Sequence, residues 1–302
     1  MTTTAHPGAG TTLAWGRHYA VVRPDHFRID YVINPYMFRA DQPDPALAMS
    51  QWETLVATLG RLGARVDVIE QRAEAPDMVY TMNLGLALTS ASGSRVALSH
   101  MRHQERRVET APAVAWFTRA GFTPTLMGQA GVGPCFEAGD AFPFGGDLVV
   151  GVGPRTEEQA LEWLAREFEV VVRGLRIRHP GMYHLDLAFC PLGAGTALVC
   201  PAAFDERSAR AVLGLVPDPI VLSEQEALTF CANAVVVGRT IVMPVCPDRV
   251  RHEIESRGFV VELVDVSEFH KGGGSVRCLT NPLDILIGRD VAPVAGGAVL
   301  LP

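Results

Sequence analysis

Three stretches carry the residue types that acid, base and nucleophile chemistry needs. In KGGGSVRCLTNPL, Cys278 follows Gly272, Gly273 and Gly274. Glycine lets backbone approach a ligand closely. A thiol presented there is a nucleophile, provided its pKa is lowered from the ~8.5 of a free cysteine. In YHLDLAF, read as a strand, His184 and Asp186 share one face about 7 Å apart, while Tyr183, Leu185, Leu187 and Phe189 point to the core. In CFEAGDAF, only Ala138 and Gly139 separate Glu137 from Asp140. Such small residues let the chain bend and bring both carboxylates to one pocket. Cysteine, histidine and carboxylate together make a nucleophile, a general acid/base and its orienter. Each stretch also has a plainer reading: a linker ending in a buried cysteine, a half-exposed strand, and an ordinary acidic turn.

The elements that must position them recur in the order strand, strand, helix, strand. One unit starts near Met78, with strands in MVYTMNLGLAL and SRVALSH, a helix over 104–120 and a strand over 122–127. A second starts near Cys135, with a turn at Gly145-Gly146 and a helix opened by Thr156, three residues before Gln159, a capping-box spacing. A third starts at Tyr183, where Asp205 caps the helix. A fourth starts at Asn233, where a helix with Pro247 at its first turn stops at Gly258. The starts lie about 50 residues apart, a spacing that signals internal repeats. A fifth unit is assembled from both chain ends: strands after Cys278, the strand 19–23, a helix capped by Asp44 with Pro45 at its first position, and the strand 64–70. Five units closing in a ring predict one domain over 17–302, after a disordered tail over 1–16.

With those residues and that order in view, the chain resembles the guanidine-modifying enzymes of the pentein fold, chiefly the dimethylarginine dimethylaminohydrolase-like proteins, with arginine deiminases and amidinotransferases more distant. The resemblance runs from about Tyr19 to the C-terminus. It is carried by PDMVYTMN, RHQERRVE, FEAGD, GPRT, YHLDLAFCPL, NAVVVG and GGGSVRCLT. It implies an α/β fold, a five-bladed propeller of ββαβ units with pseudo-fivefold symmetry. It also implies Cys278 as nucleophile, His184 as general acid/base, Glu137 as its partner and Asp186 as the binder of guanidinium nitrogens. Asp140 falls where the family has a structural or substrate-contacting carboxylate, and Arg106 and Arg155 match arginines that hold a substrate carboxylate. One position departs. In Thr81-Met82-Asn83, Asn83 stands where arginine-using members have an acid, which weakens complementarity to a cation.

The implied reaction is hydrolysis of a guanidino C–N bond through a covalent Cys278 thiouronium, giving a ureido product. Amidino transfer to an amine, or a binding protein without catalysis, is the alternative. No cofactor and no metal are called for; the Gly-rich segment lacks the order of a phosphate loop.

Composition bounds the rest. With 302 residues, 48% apolar and 20% charged, the chain is an ordinary globular protein rather than a disordered or fibrous one. A net charge of −7 argues against nucleic acid and anionic membranes as partners and favours a cationic small molecule. No apolar run approaches the ~20 residues of a membrane span. Six scattered cysteines without a CxxC pair favour a reducing cytoplasm. The resemblance adds a homodimer as one assembly state.

Overall fold

The computed structural model describes residues 12–90, 93–128, 132–287 and 299–300. Among them the strands form five small sheets. Four share one plan, with an antiparallel hairpin, a helical crossover and a third strand parallel to the second. They comprise Gly85–Ser90, Gly93–Leu98 and Thr123–Leu126; Ala141–Phe144, Asp147–Val152 and Val172–Arg176; Phe189–Pro191, Thr196–Val199 and Asp218–Val221; and Val235–Val237, Thr240–Met243 and Val260–Leu263. The second of these gains Val299–Leu300, parallel to Val172–Arg176.

The fifth sheet draws on both ends of the chain. His18–Val22 pairs in parallel with Arg65–Ile69 and antiparallel with Asn281–Pro282. The helix Pro45–Arg61 connects its first two strands. Asp44 starts that helix by accepting from the backbone N–H of Ala46 and Leu47, with Pro45 already at helical φ. Its Ala48, Gln51, Trp52, Leu55, Thr58 and Leu59 are buried at three- and four-residue intervals, one apolar stripe against the sheet. Asp205 caps Glu206–Leu215 in the same way, accepting from Ser208 N–H at 2.8 Å.

Of the segment 1–16 expected as a tail, residues 1–11 lie outside the described residues. Within 12–16, Trp15 is buried and Gly16 N–H donates to Asp284 Oδ1 at 3.0 Å. The turn expected between the strands of the 78–98 unit includes Ser92, which also lies outside the described residues.

Four local expectations need correction. The strand expected from Met78 begins only at Gly85. Before it, Pro76–Val79 and Thr81–Leu84 are 3₁₀ turns. Asn281 Nδ2 donates to the carbonyls of Thr81, Met82 and Gly85, so a distant side chain satisfies groups that a strand partner would otherwise take. The HLDL segment is not a strand either. Leu185–Leu187 is a 3₁₀ turn, and the strand is confined to Phe189–Pro191. The helix expected over 104–120 splits into a 3₁₀ turn, Gln104–Glu109, and an α-helix, Thr110–Arg119. Thr156 caps no helix. The α-helix begins at Gln159 without a side-chain cap, and Thr156 Oγ accepts instead from Glu137 N–H at 3.1 Å.

The buried apolar residues form two clusters, and the irregular turns meet at their seam. Tyr80 and Cys278 belong to one cluster, while Met82, Ala138 and Tyr183 belong to the other.

Candidate active site

Each of the three stretches delivers its residues just before or within a short turn. Glu137, with no exposed surface, precedes the 3₁₀ turn Ala138–Asp140. Its Oε1 accepts from Arg102 N–H at 3.0 Å. Its Oε2 lies 2.8 Å from His184 Nε2 and accepts from Arg155 Nη1 at 2.9 Å. Burial pushes the Glu137 carboxyl up, but Arg155 and then His184 more than offset this and hold it well below the usual carboxylate range. An ionised Glu137 accepts only, so Nε2 of His184 carries the proton and Nδ1 is the nitrogen free to exchange one. Because Arg155 holds Glu137 as an anion, the carboxylate stays charged whichever protonation state His184 adopts.

Nδ1 points into a small polar focus. A Cβ placed on Gly139 would lie 2.9 Å from Asn83 Oδ1, 3.2 Å from Asp186 Oδ2 and 3.3 Å from His184 Nδ1. The absent side chain of Gly139 thus leaves the space around which three polar groups gather. Asp186 Oδ2 is also 3.4 Å from Cys278 Sγ, which brings the thiol to the same focus. Asn83 Oδ1 accepts from Gly139 N–H at 2.8 Å. We expect Gly139→Ala to lower kcat/KM at least about 100-fold, since misplacing reacting groups by about 1 Å has that effect. Steady-state kinetics beside a thermal melt checks this; unchanged kcat/KM would show that the focus is not where reaction occurs.

Cys278 is buried and its thiol is pushed well up, first by burial and then by the Asp186 carboxylate. It therefore rests as a neutral thiol, and a cation entering the site would favour the thiolate. The glycines ahead of it pack rather than hang free. A Cβ on Gly274 would meet the Tyr80 ring at 2.3 Å and Cys278 Cβ at 3.0 Å, and Gly273 holds a φ of +87° that side chains rarely adopt.

One cavity includes His184, Cys278 and Asn83 together with Asp77, Arg106, Arg155 and Tyr183. Ile33 and Asn34 cover it from the segment between the strand His18–Val22 and the helix Pro45–Arg61. Asn34 donates to Gly272 O at 3.0 Å.

Several expected residues are placed differently. Asp186 stands beside Cys278 but is not among the residues that line the cavity, and neither is Asp140. Asp140 Oδ1 accepts from Leu185 N–H at 2.9 Å, which fixes the turn carrying His184 and Asp186; burial pushes the Asp140 carboxyl up to about 7. Arg106 and Arg155 line the cavity, but their forks are engaged. Arg106 makes a bidentate pair with Glu109 at 2.7 and 2.8 Å. Arg155 donates to Glu137 and to Ile33 O, 2.9 Å each, with its guanidinium over the Tyr183 ring.

Two residues were missed by reading the sequence. Asp77 lines the cavity, is pushed up to about 7 by burial, and has a buried Oδ1 without a hydrogen-bond partner among the described residues. Its only local signal, an acid inside PDM, is common in turns. Asn233 Nδ2 donates to Cys278 Sγ at 3.2 Å and to Asp186 O at 3.1 Å, while its Oδ1 accepts from the N–H of Arg277 and of Cys278. Removing it as Asn233→Ala leaves buried groups unsatisfied at about 1–3 kcal/mol each. We expect a loss of about 2–3 kcal/mol in urea unfolding and a lower kcat; a variant as stable as wild type would rule out this tethering role.

The family described as "N,N dimethylarginine dimethylhydrolase, eukaryotic" matches residues 23–285. The chain belongs to the dimethylarginine dimethylaminohydrolase-like family of guanidine-modifying enzymes. Within it, the chain is 34% identical over 264 residues to the N(G),N(G)-dimethylarginine dimethylaminohydrolase of Mycobacterium tuberculosis, covering 87% of this chain and 85% of that one. It is 36% identical over 262 residues to ArgZ of Synechocystis, a bifunctional arginine dihydrolase/ornithine cyclodeaminase, covering 85% of this chain but 36% of that longer protein. The crystal structure of the N-terminal domain of an ArgZ variant covalently bonded to a reaction intermediate superposes with a TM-score of 0.83 at 34% identity, covering 89% of this chain and 98% of that one. The five small sheets of this member are the α/β architecture of the pentein fold. No helix among its described residues is long and apolar enough to cross a membrane.

Proposed function

We propose that the chain hydrolyses a guanidino compound of the arginine or N-substituted arginine type. The observation that carries this reading is the focus beside Gly139. A thiol, an imidazole nitrogen and the carboxylate of Asp186 converge there, with Glu137 committed behind the imidazole, and Cys278 and His184 also line the cavity. Asp77 and Asp186 each hold a buried Oδ1 without a partner among the described residues. Two such acceptors suit a planar cation rich in N–H donors.

In this reading the substrate guanidinium sits against Asp186 beside a His184 imidazolium protonated on both ring nitrogens, and the substrate's charge drives the Cys278 proton out to solvent. The thiolate attacks the guanidino carbon and a C–S bond forms. His184 delivers a proton from Nδ1 to the departing nitrogen as the C–N bond breaks, releasing ammonia or an amine. The neutral imidazole then takes a proton from water as the water oxygen adds to the thiouronium carbon. Cleavage of the C–S bond frees the ureido product and restores the thiol. Glu137 steadies the imidazolium, and Asp140 holds the turn that orients it. Arg106 and Arg155 contact a substrate carboxylate only by giving up part of their present pairing. Asn83 offers a neutral oxygen to the site, so the identity of the guanidine depends on that position.

The same proposal takes residues 17–302 as one ring of five blades, a form supported by the repeated strand order and by the sheet that joins both chain ends. It places the protein in a reducing cytoplasm, in keeping with six free cysteines.

A screen of arginine, methylated arginines and small guanidino acids tests the reading, followed by ureido colour and by ammonia or amine release. Ureido product with one equivalent of released nitrogen base supports it. Nitrogen release without ureido product would assign two successive hydrolyses, and a new guanidine formed from an added amine would assign amidino transfer. No turnover of any guanidine and no adduct with a guanidine-mimicking amidine would overturn it.

A further inference from the structure

Arg277 precedes the proposed nucleophile Cys278 and heads the largest fully buried side chains among the described residues. Its Nε, Nη1 and Nη2 have no hydrogen-bond partner among the described residues. The guanidinium lies instead over two aromatic rings, 4.7 Å from the Phe142 centroid and 5.7 Å from that of Trp15. Aromatic faces attract a cation only modestly compared with water or a carboxylate. An apolar side chain of similar size would serve packing better.

Its position gives this cation a use. Asn233 Oδ1 accepts from the N–H of Arg277 at 3.0 Å, and the same side chain grips Asp186 O and Cys278 Sγ. Asp186 is fully buried, with Oδ1 unpartnered among the described residues and Oδ2 3.4 Å from the Cys278 thiol. A direct salt bridge would occupy the lone pairs that a substrate guanidinium needs. A positive charge near Asp186, but outside hydrogen-bond contact, favours the carboxylate and leaves its oxygens open.

We propose that Arg277 is a positioning residue that keeps Asp186 ionised without hydrogen-bonding to it, so that the unpartnered Oδ1 stays available to a cationic substrate. This rests on the guanidino-hydrolase reading above. Burial raises the Asp186 carboxyl above its usual range on balance, and His184 and then Arg277 pull against it. The other titratable groups facing this pair are Cys278, Tyr183, Cys190 and Tyr19.

The test compares Arg277→Met and Arg277→Gln, which are neutral, with Arg277→Lys, which keeps the charge. The full chain is used, with whichever guanidine it turns over. The neutral variants should melt no lower than wild type, because an unpaired buried charge has been removed. Their kcat/KM should fall about tenfold at the acid end of the profile, mostly through KM, with the acid limb moved to higher pH. The lysine variant should restore that limb. A neutral variant with the wild-type acid limb overturns the proposal, as does a lysine variant displaced as far as the methionine one, which would show that shape matters rather than charge. The infrared carboxyl stretch, assigned by its loss in Asp186→Asn, follows Asp186 protonation without substrate. It decides the proposal even if no guanidine is turned over, and an Asp186 band that titrates alike in wild type and Arg277→Gln would sink it.

Discussion

Cys278→Ser is expected to lower turnover by at least about 10⁴-fold, the order seen when a covalent nucleophile is removed, with little change in stability. The serine hydroxyl can keep the contacts that the thiol makes with Asn233 and Asp186, so the site should stay assembled and still bind a guanidine. It cannot supply the nucleophile. A hydroxyl is far less acidic than a thiol, and it needs an adjacent base to become reactive. The acceptor hydrogen-bonded to Sγ is Asp186, which in the proposed reaction is already bound to the substrate. Intact-mass measurement after incubation with an amidine should show an adduct on wild type and none on the variant, while calorimetry shows binding to both. Wild-type rates from the serine variant would dismiss Cys278 as nucleophile. The resting state of the thiol sharpens this. Burial and then Asp186 both push its pKa up, so a neutral alkylating reagent should react slowly near neutral pH and a cationic amidine much faster.

Glu137→Gln should damage both fold and chemistry. The carboxylate accepts from Arg102 N–H, Arg155 and His184, all as donors. An amide presents one oxygen and one NH₂, so at least one of these donors faces another donor. Arg155 is then a buried cation without its anion, and breaking such a pair costs about 3–5 kcal/mol. His184 loses the anion that holds its proton on Nε2 and stabilises its imidazolium, for which about 10²–10⁴ in kcat is the expected loss. Denaturant unfolding and single-turnover kinetics measure the two separately. The pH dependence has a definite sign. The folded-state pKa of Glu137 is depressed, so its contribution to stability is full above the ordinary carboxylate range and disappears as pH falls through the folded value. Wild type should lose stability into acid more steeply than Glu137→Gln. Parallel curves would mean that Glu137 is not held as an anion. Asp77 and Asp140 run the other way. Their carboxyls are pushed up to about 7, so each contributes most in acid and loses that contribution as pH rises through about 7.

Much of the scaffold was legible because its signals are local. Asp44-Pro45 and Asp205 start helices through bonds to backbone two or three residues away. Gly258 follows a helix end at a φ of +76°. Hairpins with a helical crossover, repeated at regular spacing, revealed the five sheets and the pairing of both chain ends. The local rules failed where distant side chains take over the backbone. Alternation along YHLDLAF placed His184 and Asp186 on one strand face. The structure has a 3₁₀ turn there, pinned by Asp140 from 45 positions away, and Asn281 likewise holds the Thr81–Leu84 turn from the far end of the chain.

The sequence by itself determined the family, the repeated α/β unit, and the candidate set of Cys278, His184, Glu137, Asp186 and Asn83. Motif order and periodicity are properties of one dimension. Only the tertiary structure decided what each group faces. It paired Arg155 with Glu137, engaged the Arg106 fork with Glu109, set Asp140 outside the cavity lining, and brought in Asp77, Asn233 and Arg277. Charge and burial act through space: Cys278 and Asp186 are 92 positions apart along the chain and 3.4 Å apart in the fold.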